Sequence, residues 1–262
     1  MRYYLIAGEA SGDIYGSQLI SEIQILDPNS KIRFWGGDLM KSKSNNLVKH
    51  YKDTSVMGFF EVLKHIFKIL RNIDYCKNDI LEFKPDRIIY IDYPGFNLRI
   101  CKWAKKKGFN NHYYISPQIW AWKENRINAI KRDVDHLHVI LPFEKNYYKK
   151  KHGLEVNYSG HPLVNYIDKF KPDDNFFDKN NIDNNQPIIA LLPGSRLQEI
   201  KKILPVFLSI VKSFESYQFV IGGVESINKE KYSKLIKNKN VKVVFNQTYN
   251  LLANADAAIV TS

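Results

Sequence analysis

The chain has 262 residues, 39 Lys and Arg against 27 Asp and Glu, and 44% hydrophobic residues. That composition suits one or two folded domains and excludes a disordered tail or a fibre. Two cysteines, Cys76 and Cys101, cannot build a disulfide framework and have no second pair at zinc-ligand spacing, so a reducing compartment is expected. A net charge of +12 attracts nucleic acid, anionic membrane and phosphorylated small molecules alike, and lysines spread over nearly every segment do not choose among them. Glu9 and Asp13 interrupt the apolar start, so no signal peptide is expected, and the run Ile203–Leu208 is too short to span a bilayer. A soluble or peripheral, cytoplasmic protein is expected.

Strands are predicted at Arg2–Ala7, Ile32–Trp35, Arg87–Ile91, Asn111–Ile115 and Val134–Ile140, from short β-branched and aromatic runs. Helices are predicted between them at Gly12–Leu26, Phe59–Phe83, Asn97–Lys107, Glu124–Lys131 and Phe143–Lys151. Strands separated by helices of this length imply βαβ crossovers and a mostly parallel α/β sheet. The Asp-, Asn- and Lys-rich stretch 168–186 has no sustained period and is expected to link two domains, 1–167 and 187–262. The second domain alternates again: strand Ile188–Leu192, helix Leu197–Ser216, strand Gln218–Gly222, helix Lys229–Lys237, strand Val241–Phe245, helix Tyr249–Asn254 and strand Ala257–Val260. A last parallel strand with no covering crossover after it suggests that this domain is incomplete as given.

In open α/β sheets ligands bind beyond the carboxyl ends of the strands, which makes four strand-to-helix turns the places to search. The first, AGEASGDIYG at 7–16, is neither a dinucleotide fingerprint nor a Walker loop. It can still hold an anion or sugar hydroxyls on free N–H groups, with Ser11 capping the helix. Glu9 favours function over a plain tight turn, since a carboxylate at an anion-binding helix start is otherwise an unneeded repulsion. The second, IDYPGFN at 91–97, ends an apolar strand on Asp92; a general base is favoured over a simple turn-former, and Asn97 is expected to cap the helix. The third, ISPQIWAW at 115–122, interleaves Ser116 and Gln118 with Trp120 and Trp122, either as a ligand wall or as core packing. The fourth, LLPGSRLQEI at 191–200, offers a Ser195–Gln198 capping box and sets Arg196 beside a positive helix terminus, which suits a diphosphate.

Two weaker features remain. Phe59, Phe60, Leu63 and Phe67 belong to a wide apolar arc on a basic helix, which either lies on an anionic membrane or covers the sheet. His136 and His138 share one side of a strand with no ligand partner at metal spacing and are read as structural.

Together these segments resemble the lipid-A-disaccharide synthase family. The matching segments are AGEASGD (7–13), MGFFEVL (57–63), KPDRIIYIDYPGFN (84–97), YYISPQIWAWKENRI (113–127), LPFEKNYY (141–148), GHPL (160–163), LLPGSRLQEI (191–200) and ADAAIVTS (255–262). The resemblance implies a GT-B glycosyltransferase of two Rossmann-like domains facing each other across a cleft. It implies transfer from UDP-2,3-diacylglucosamine to 2,3-diacylglucosamine 1-phosphate with inversion, forming the lipid A disaccharide 1-phosphate and releasing UDP. Neither metal nor cofactor is expected, and nucleic acid is not an expected partner. By the same resemblance Asp92 is the general base and Arg196 steadies the departing UDP, with Gly194 and Ser195 on the donor. Glu9 contacts or orients the acceptor. Ser11, Gly12, Asn97, Ser116, Gln118 and Trp120 are the further acceptor-side residues expected. Phe59, Phe60, Leu63 and Phe67 become a lipid- or membrane-facing surface on the cytoplasmic face of the inner membrane, and a homodimer is left open. A GT-B enzyme acting on a soluble UDP-sugar, such as an epimerase, is the nearest alternative; a truncated non-catalytic lipid-binding relative is another.

Overall fold

Strand β1 (Arg2–Ala7) buries both of its faces, with Tyr4 and Ile6 in one core and Leu5 and Ala7 in another. A strand apolar on both sides belongs in the middle of a parallel sheet sandwiched by helices, and that is where the computed structural model places it. Residues 1–54, 66–224, 227–236, 238 and 240–261 are described. They form two units, Met1–Tyr166 and Ile167–Ser262.

In chain order the first unit continues with α1 (Ala10–Leu26), β2 (Lys31–Gly36), α2 (Asp38–Lys41), β3 (Leu47–His50), α3 (Tyr51–Thr54), α4 (Ile66–Phe83) and β4 (Arg87–Ile91). It goes on through α5 (Pro94–Lys106), β5 (Asn111–Tyr114), a 3₁₀ turn at Glu124–Arg126, α6 (Ile127–Asp133), β6 (His136–Val139), α7 (Pro142–His152), β7 (Asn157–Tyr158) and α8 (Pro162–Asp168), which runs into the second unit. The seven strands lie in the order β3-β2-β1-β4-β5-β6-β7, each pairing parallel. Helix α1 covers one face through Ile20 and Ile23. Helices α4 and α5 cover the other through Ile73, Cys76, Ile80, Ile100 and Cys101.

The second unit holds α9 (Phe176–Asn180), β8 (Ile188–Leu192), α10 (Leu197–Ser209), β9 (Gln218–Gly223), α11 (Lys229–Ser233), β10 (Val241–Phe245), α12 (Thr248–Ala253) and β11 (Ala257–Val260). Its parallel sheet runs β10-β9-β8-β11. Within the segment 168–186, α9 sinks Phe176 into the core beside Ile188, Val220 and Val244. That part of the segment is folded protein rather than open connector, because two apolar residues, Phe176 and Ile182, outweigh its polar majority.

The alternation of strands and helices follows the sequence expectation, and the differences are local. Helix α5 begins at Pro94, three residues before Asn97, since a proline ring presets the first helical φ. Helix α10 ends at Ser209 instead of 216. Strands β3 and β7 were not expected; each is short, has no fully buried residue and lies at an edge of the sheet, where burial leaves no period to read. Helix α4 is described only from Ile66, so Phe59, Phe60 and Leu63 lie outside the described residues. Among the described residues no helix is long and apolar enough to cross a membrane.

Candidate functional site

Because β1, β4 and β5 are neighbours in one parallel sheet, the turns that follow them rise side by side at its carboxyl edge. They carry Glu9, Asp92 and the segment from Ser116 onward.

The first turn is packed against the second. A β-carbon added at Gly8 would stand 2.2 Å from the ring of Tyr93, so only glycine admits this approach. Glu9 is the N-cap residue of α1, exposed, with no side-chain capping bond. Ser11 lies inside the first helical turn and is exposed, so it is not the cap. Gly12 is buried against Ala7. The carboxylate of Asp13 is buried and accepts from the backbone N–H groups of Gly37 (2.7 Å), Leu39 (3.0 Å) and Met40 (3.0 Å). That aspartate, which the sequence reading passed over, ties α1 to the start of α2.

Asp92 and Tyr93 both adopt left-handed backbone, with φ of +44° and +51°, a conformation that costs a non-glycine residue free energy and tends to persist at functional sites. What holds Asp92 there is explicit. Its N–H donates to the Tyr114 carbonyl at 3.1 Å. Its own carbonyl accepts from the Asn97 amide at 2.7 Å and the Tyr113 hydroxyl at 2.7 Å. Asn97 is therefore not a helix cap; it is 0% exposed within α5. Full burial withdraws its side chain from direct contact with an acceptor and gives it to the Asp92 turn. Burial and the neighbouring Glu9 carboxylate push the Asp92 carboxyl up to about 6, against the Tyr93 N–H bond and the Arg126 charge. A carboxylate tuned toward neutrality at a sheet edge has the profile of a proton acceptor.

In the third turn Ser116 is buried, with its hydroxyl 2.6 Å from that of Tyr148. Gln118 is exposed. The Trp120 indole N–H donates to Glu144 Oε1 at 3.2 Å, and its ring meets Phe143 edge-on at 5.0 Å. Arg126, which the sequence reading did not single out, adds a positive charge to the surroundings of Asp92.

The second unit carries Gly194, Ser195 and Arg196 between β8 and α10. Gly194 has φ of +105°, and a β-carbon there would meet Glu199 Oε2 at 2.4 Å. Arg196 itself is the N-cap residue. The expected Ser195–Gln198 capping box is replaced by Glu199, whose carboxylate accepts from the N–H groups of Ser195 (3.0 Å) and Arg196 (3.1 Å) and from Arg196 Nη1 (3.1 Å). Glutamate reaches back across one helical turn, and Gln198 is exposed. Of Phe59, Phe60, Leu63 and Phe67, only Phe67 is among the described residues, and it is 79% exposed. Among the described residues no group of three or more His, Cys, Asp or Glu is arranged to hold a metal.

Two parallel α/β units, each opening a glycine-bearing turn onto a helix, define a protein of the GT-B fold class. A family model described as Lipid-A-disaccharide synthetase matches residues 3–262. The chain belongs to that family, and it is a glycosyltransferase. It is 36% identical to the lipid-A-disaccharide synthase of Trichlorobacter lovleyi over 267 residues, covering 100% of this chain and 70% of the relative. It is likewise 36% identical to that of Coxiella burnetii strain Dugway, covering 98% of this chain and 69% of the relative. Among solved structures, the UDP-GlcNAc 2-epimerase of Neisseria meningitidis superposes with a TM-score of 0.73 at 14% identity, covering 100% of this chain and 78% of that one. The epimerase of Methanocaldococcus jannaschii in complex with UDP-GlcNAc and UDP gives 0.70 at 15%, covering 100% and 79%. Identities this low report the fold alone, so the epimerase alternative gains no support from them.

Proposed function

We propose that the chain transfers a diacylglucosaminyl group from UDP-2,3-diacylglucosamine to a hydroxyl of 2,3-diacylglucosamine 1-phosphate, forming the lipid A disaccharide 1-phosphate. The observation that carries the reading is the Asp92 turn: a half-buried carboxyl with its backbone locked, in a chain 36% identical to named synthases along its whole length. At pH 7 most Asp92 is ionised and takes the proton of the acceptor hydroxyl as its oxygen bonds to the donor's anomeric carbon. The bond from that carbon to the diphosphate oxygen breaks, its electron pair leaves with UDP, and the configuration inverts. Arg196 supplies positive charge for the departing diphosphate, with Gly194 and Ser195 beside it. Glu9, Ser11, Gly12, Gln118 and Trp120 serve the acceptor, while Asn97 and Ser116 hold the turns.

The protein works on the cytoplasmic face of the inner membrane as a peripheral protein. A groove of about 360 Å³ between α4 and α5 supports this, lined by the apolar Leu70, Ile73 and Trp103 and by the basic Lys77, Arg99, Lys102 and Lys106. Apolar side chains interspersed with cations suit an anionic lipid surface.

Mass-spectrometric detection of the disaccharide 1-phosphate from the two acylated substrates tests the transfer. Formation by the wild-type protein and its loss in Asp92→Asn is the expected result. Equal turnover of non-acylated UDP-glucosamine derivatives would remove the lipid substrate from the reading.

A further inference from the structure

The segment after β5 carries charged and aromatic groups, Trp122 and Lys123 among them, that the proton transfer at Asp92 does not account for. Trp120 is anchored by its indole N–H on Glu144. Trp122, two residues on, donates its backbone N–H to the Gln118 carbonyl at 3.3 Å, while its indole makes no hydrogen bond among the described residues and the residue is 59% exposed. Lys123 Nζ lies 4.2 Å from the centre of its ring, and the Arg126 guanidinium lies 5.4 Å away.

Neither cation has an ion pair among the described residues, although carboxylates are close in sequence. Glu124, between them, is taken by Lys151 at 2.7 Å, by His152 at 3.2 Å and by the Tyr147 hydroxyl at 3.0 Å. Glu144 is buried, with Oε2 accepting from the N–H groups of Ile140 (3.1 Å) and Leu141 (2.9 Å). Glu124 and Glu144 are thus engaged elsewhere, and two cations stand beside one exposed indole. The position is not arbitrary, because β5 adjoins β4 in the sheet and Arg126 is close enough for its charge to act on Asp92.

We infer that Lys123 and Arg126 seat the phosphate of a sugar phosphate, with the Trp122 indole against the apolar face of the sugar ring. Arginine offers a bidentate fork to phosphate oxygens, lysine adds a compact point charge, and an indole face packs on sugar C–H groups. In the transferase reading, on which the identity of the ligand rests, this is the seat of the acceptor's 1-phosphate. It makes the phosphate a specificity handle that carries the acceptor to the sheet edge of Asp92.

The test compares glucosamine 1-phosphate with methyl glucosaminide, both soluble, by saturation-transfer NMR and tryptophan fluorescence on the full chain. Wild type is expected to bind the phosphate form about tenfold or more tightly, the range for one or two charge-assisted hydrogen bonds, and the preference should shrink in high salt. In Lys123→Gln/Arg126→Gln the preference should fall to about threefold or less, with binding of methyl glucosaminide unchanged. Arg126→Lys should keep part of it, and the single Lys123→Gln variant gives an independent reading should the double variant misfold. No preference in wild type, or a full preference retained by the variants, overturns the inference. The preference together with absent disaccharide formation overturns the transferase reading and leaves the seat standing. Transfer without any phosphate preference overturns the seat alone.

Discussion

The side-chain amide of Asn97 donates to the carbonyl oxygen of Asp92 at 2.7 Å, from a position with no solvent exposure. The same amide lies 3.4 Å from the Ile6 carbonyl and 3.5 Å from that of Ile91, so one side chain spans the ends of β1 and β4. Asn97→Ala leaves Tyr113 as the only side-chain donor on the Asp92 carbonyl among the described residues and opens a small void. A destabilisation of about 1–3 kcal/mol is expected, the usual cost of a buried polar group losing its partner. Turnover should fall more than acceptor KM rises, because a misplaced base weakens the transition state more than ground-state binding. Denaturant melts with steady-state kinetics check both; unchanged kcat would remove Asn97 from the positioning role.

Asp92 itself links stability to activity with opposite signs. Its folded carboxyl, at about 6, lies above the unfolded value of roughly 3.9. The folded state therefore binds more protons between those two values, and stability from this group falls as pH rises through that window. Above pH 6 the ionised carboxylate is a net cost. Asp92→Asn should then be more stable than wild type by about 1–3 kcal/mol at pH 7.5 and nearly equal at pH 4, while turnover drops about 10²–10⁴-fold. In wild type, kcat/KM should decline about tenfold per unit below pH 6. Melts at the two pH values and a pH–rate profile decide the matter; a variant less stable at pH 7.5 than at pH 4 relative to wild type reverses the sign and refutes the account.

Gly8→Ala tests the contact between the first two turns. The new methyl would sit 2.2 Å from the Tyr93 ring, too close to absorb without moving the left-handed Tyr93. A loss of about 1–3 kcal/mol is expected from overpacking, with turnover reduced because Tyr93 follows Asp92. Adding Tyr93→Ala to Gly8→Ala should restore part of the stability, and a double-mutant cycle that is strictly additive would show that the two positions do not touch.

How much of this was legible follows from what sequence encodes locally. The two sheets are readable because β1, β4, β8 and β9 are nearly unbroken apolar runs bounded by Gly, Pro or Asp. The turns are readable because a break follows each run. Helix starts are not. Ser11, Asn97 and Ser195 all look like caps, yet Glu9, Tyr93 and Arg196 occupy the N-cap positions, since backbone φ and ψ at the sheet edge are fixed by tertiary packing rather than by the nearest hydroxyl or amide. Arg126 escaped notice for a related reason: its charge matters only because β5 lies beside β4, a neighbourhood that strand pairing creates and local pattern does not show.

Glu199 replaces the expected cap in the second unit, and its removal should be felt at Arg196. Glu199→Gln keeps the length but loses the charge that holds two backbone N–H groups and the guanidinium. About 1 kcal/mol of stability should be lost, the ordinary worth of a helix cap. UDP affinity, read by product inhibition, should change by more than a cap alone explains, because the PGSR turn loosens around Arg196. An unchanged inhibition constant would confine Glu199 to a structural role.

The groove between α4 and α5 separates membrane attachment from catalysis. Helix α5 carries Arg99, Lys102, Lys105 and Lys106 and no acid; Lys105 is paired with Asp135, while the other three have no ion pair among the described residues. Each basic residue near an anionic surface is worth about 1 kcal/mol, so Lys102→Glu/Lys106→Glu should lower partition onto phosphatidylglycerol vesicles by roughly ten- to a hundredfold and leave binding to neutral phosphatidylcholine vesicles alone. Phe67→Ser/Leu70→Ser, at positions 79% and 47% exposed, should weaken both, because it removes apolar contact instead of charge. Neither pair should lower the melting temperature by more than a few degrees, since these side chains stand outside the core. Co-sedimentation with the two vesicle types distinguishes the effects: a charge reversal that leaves phosphatidylglycerol binding intact excludes this groove from the membrane, and a large loss of melting temperature in the apolar pair would return Phe67 and Leu70 to the packing of the sheet.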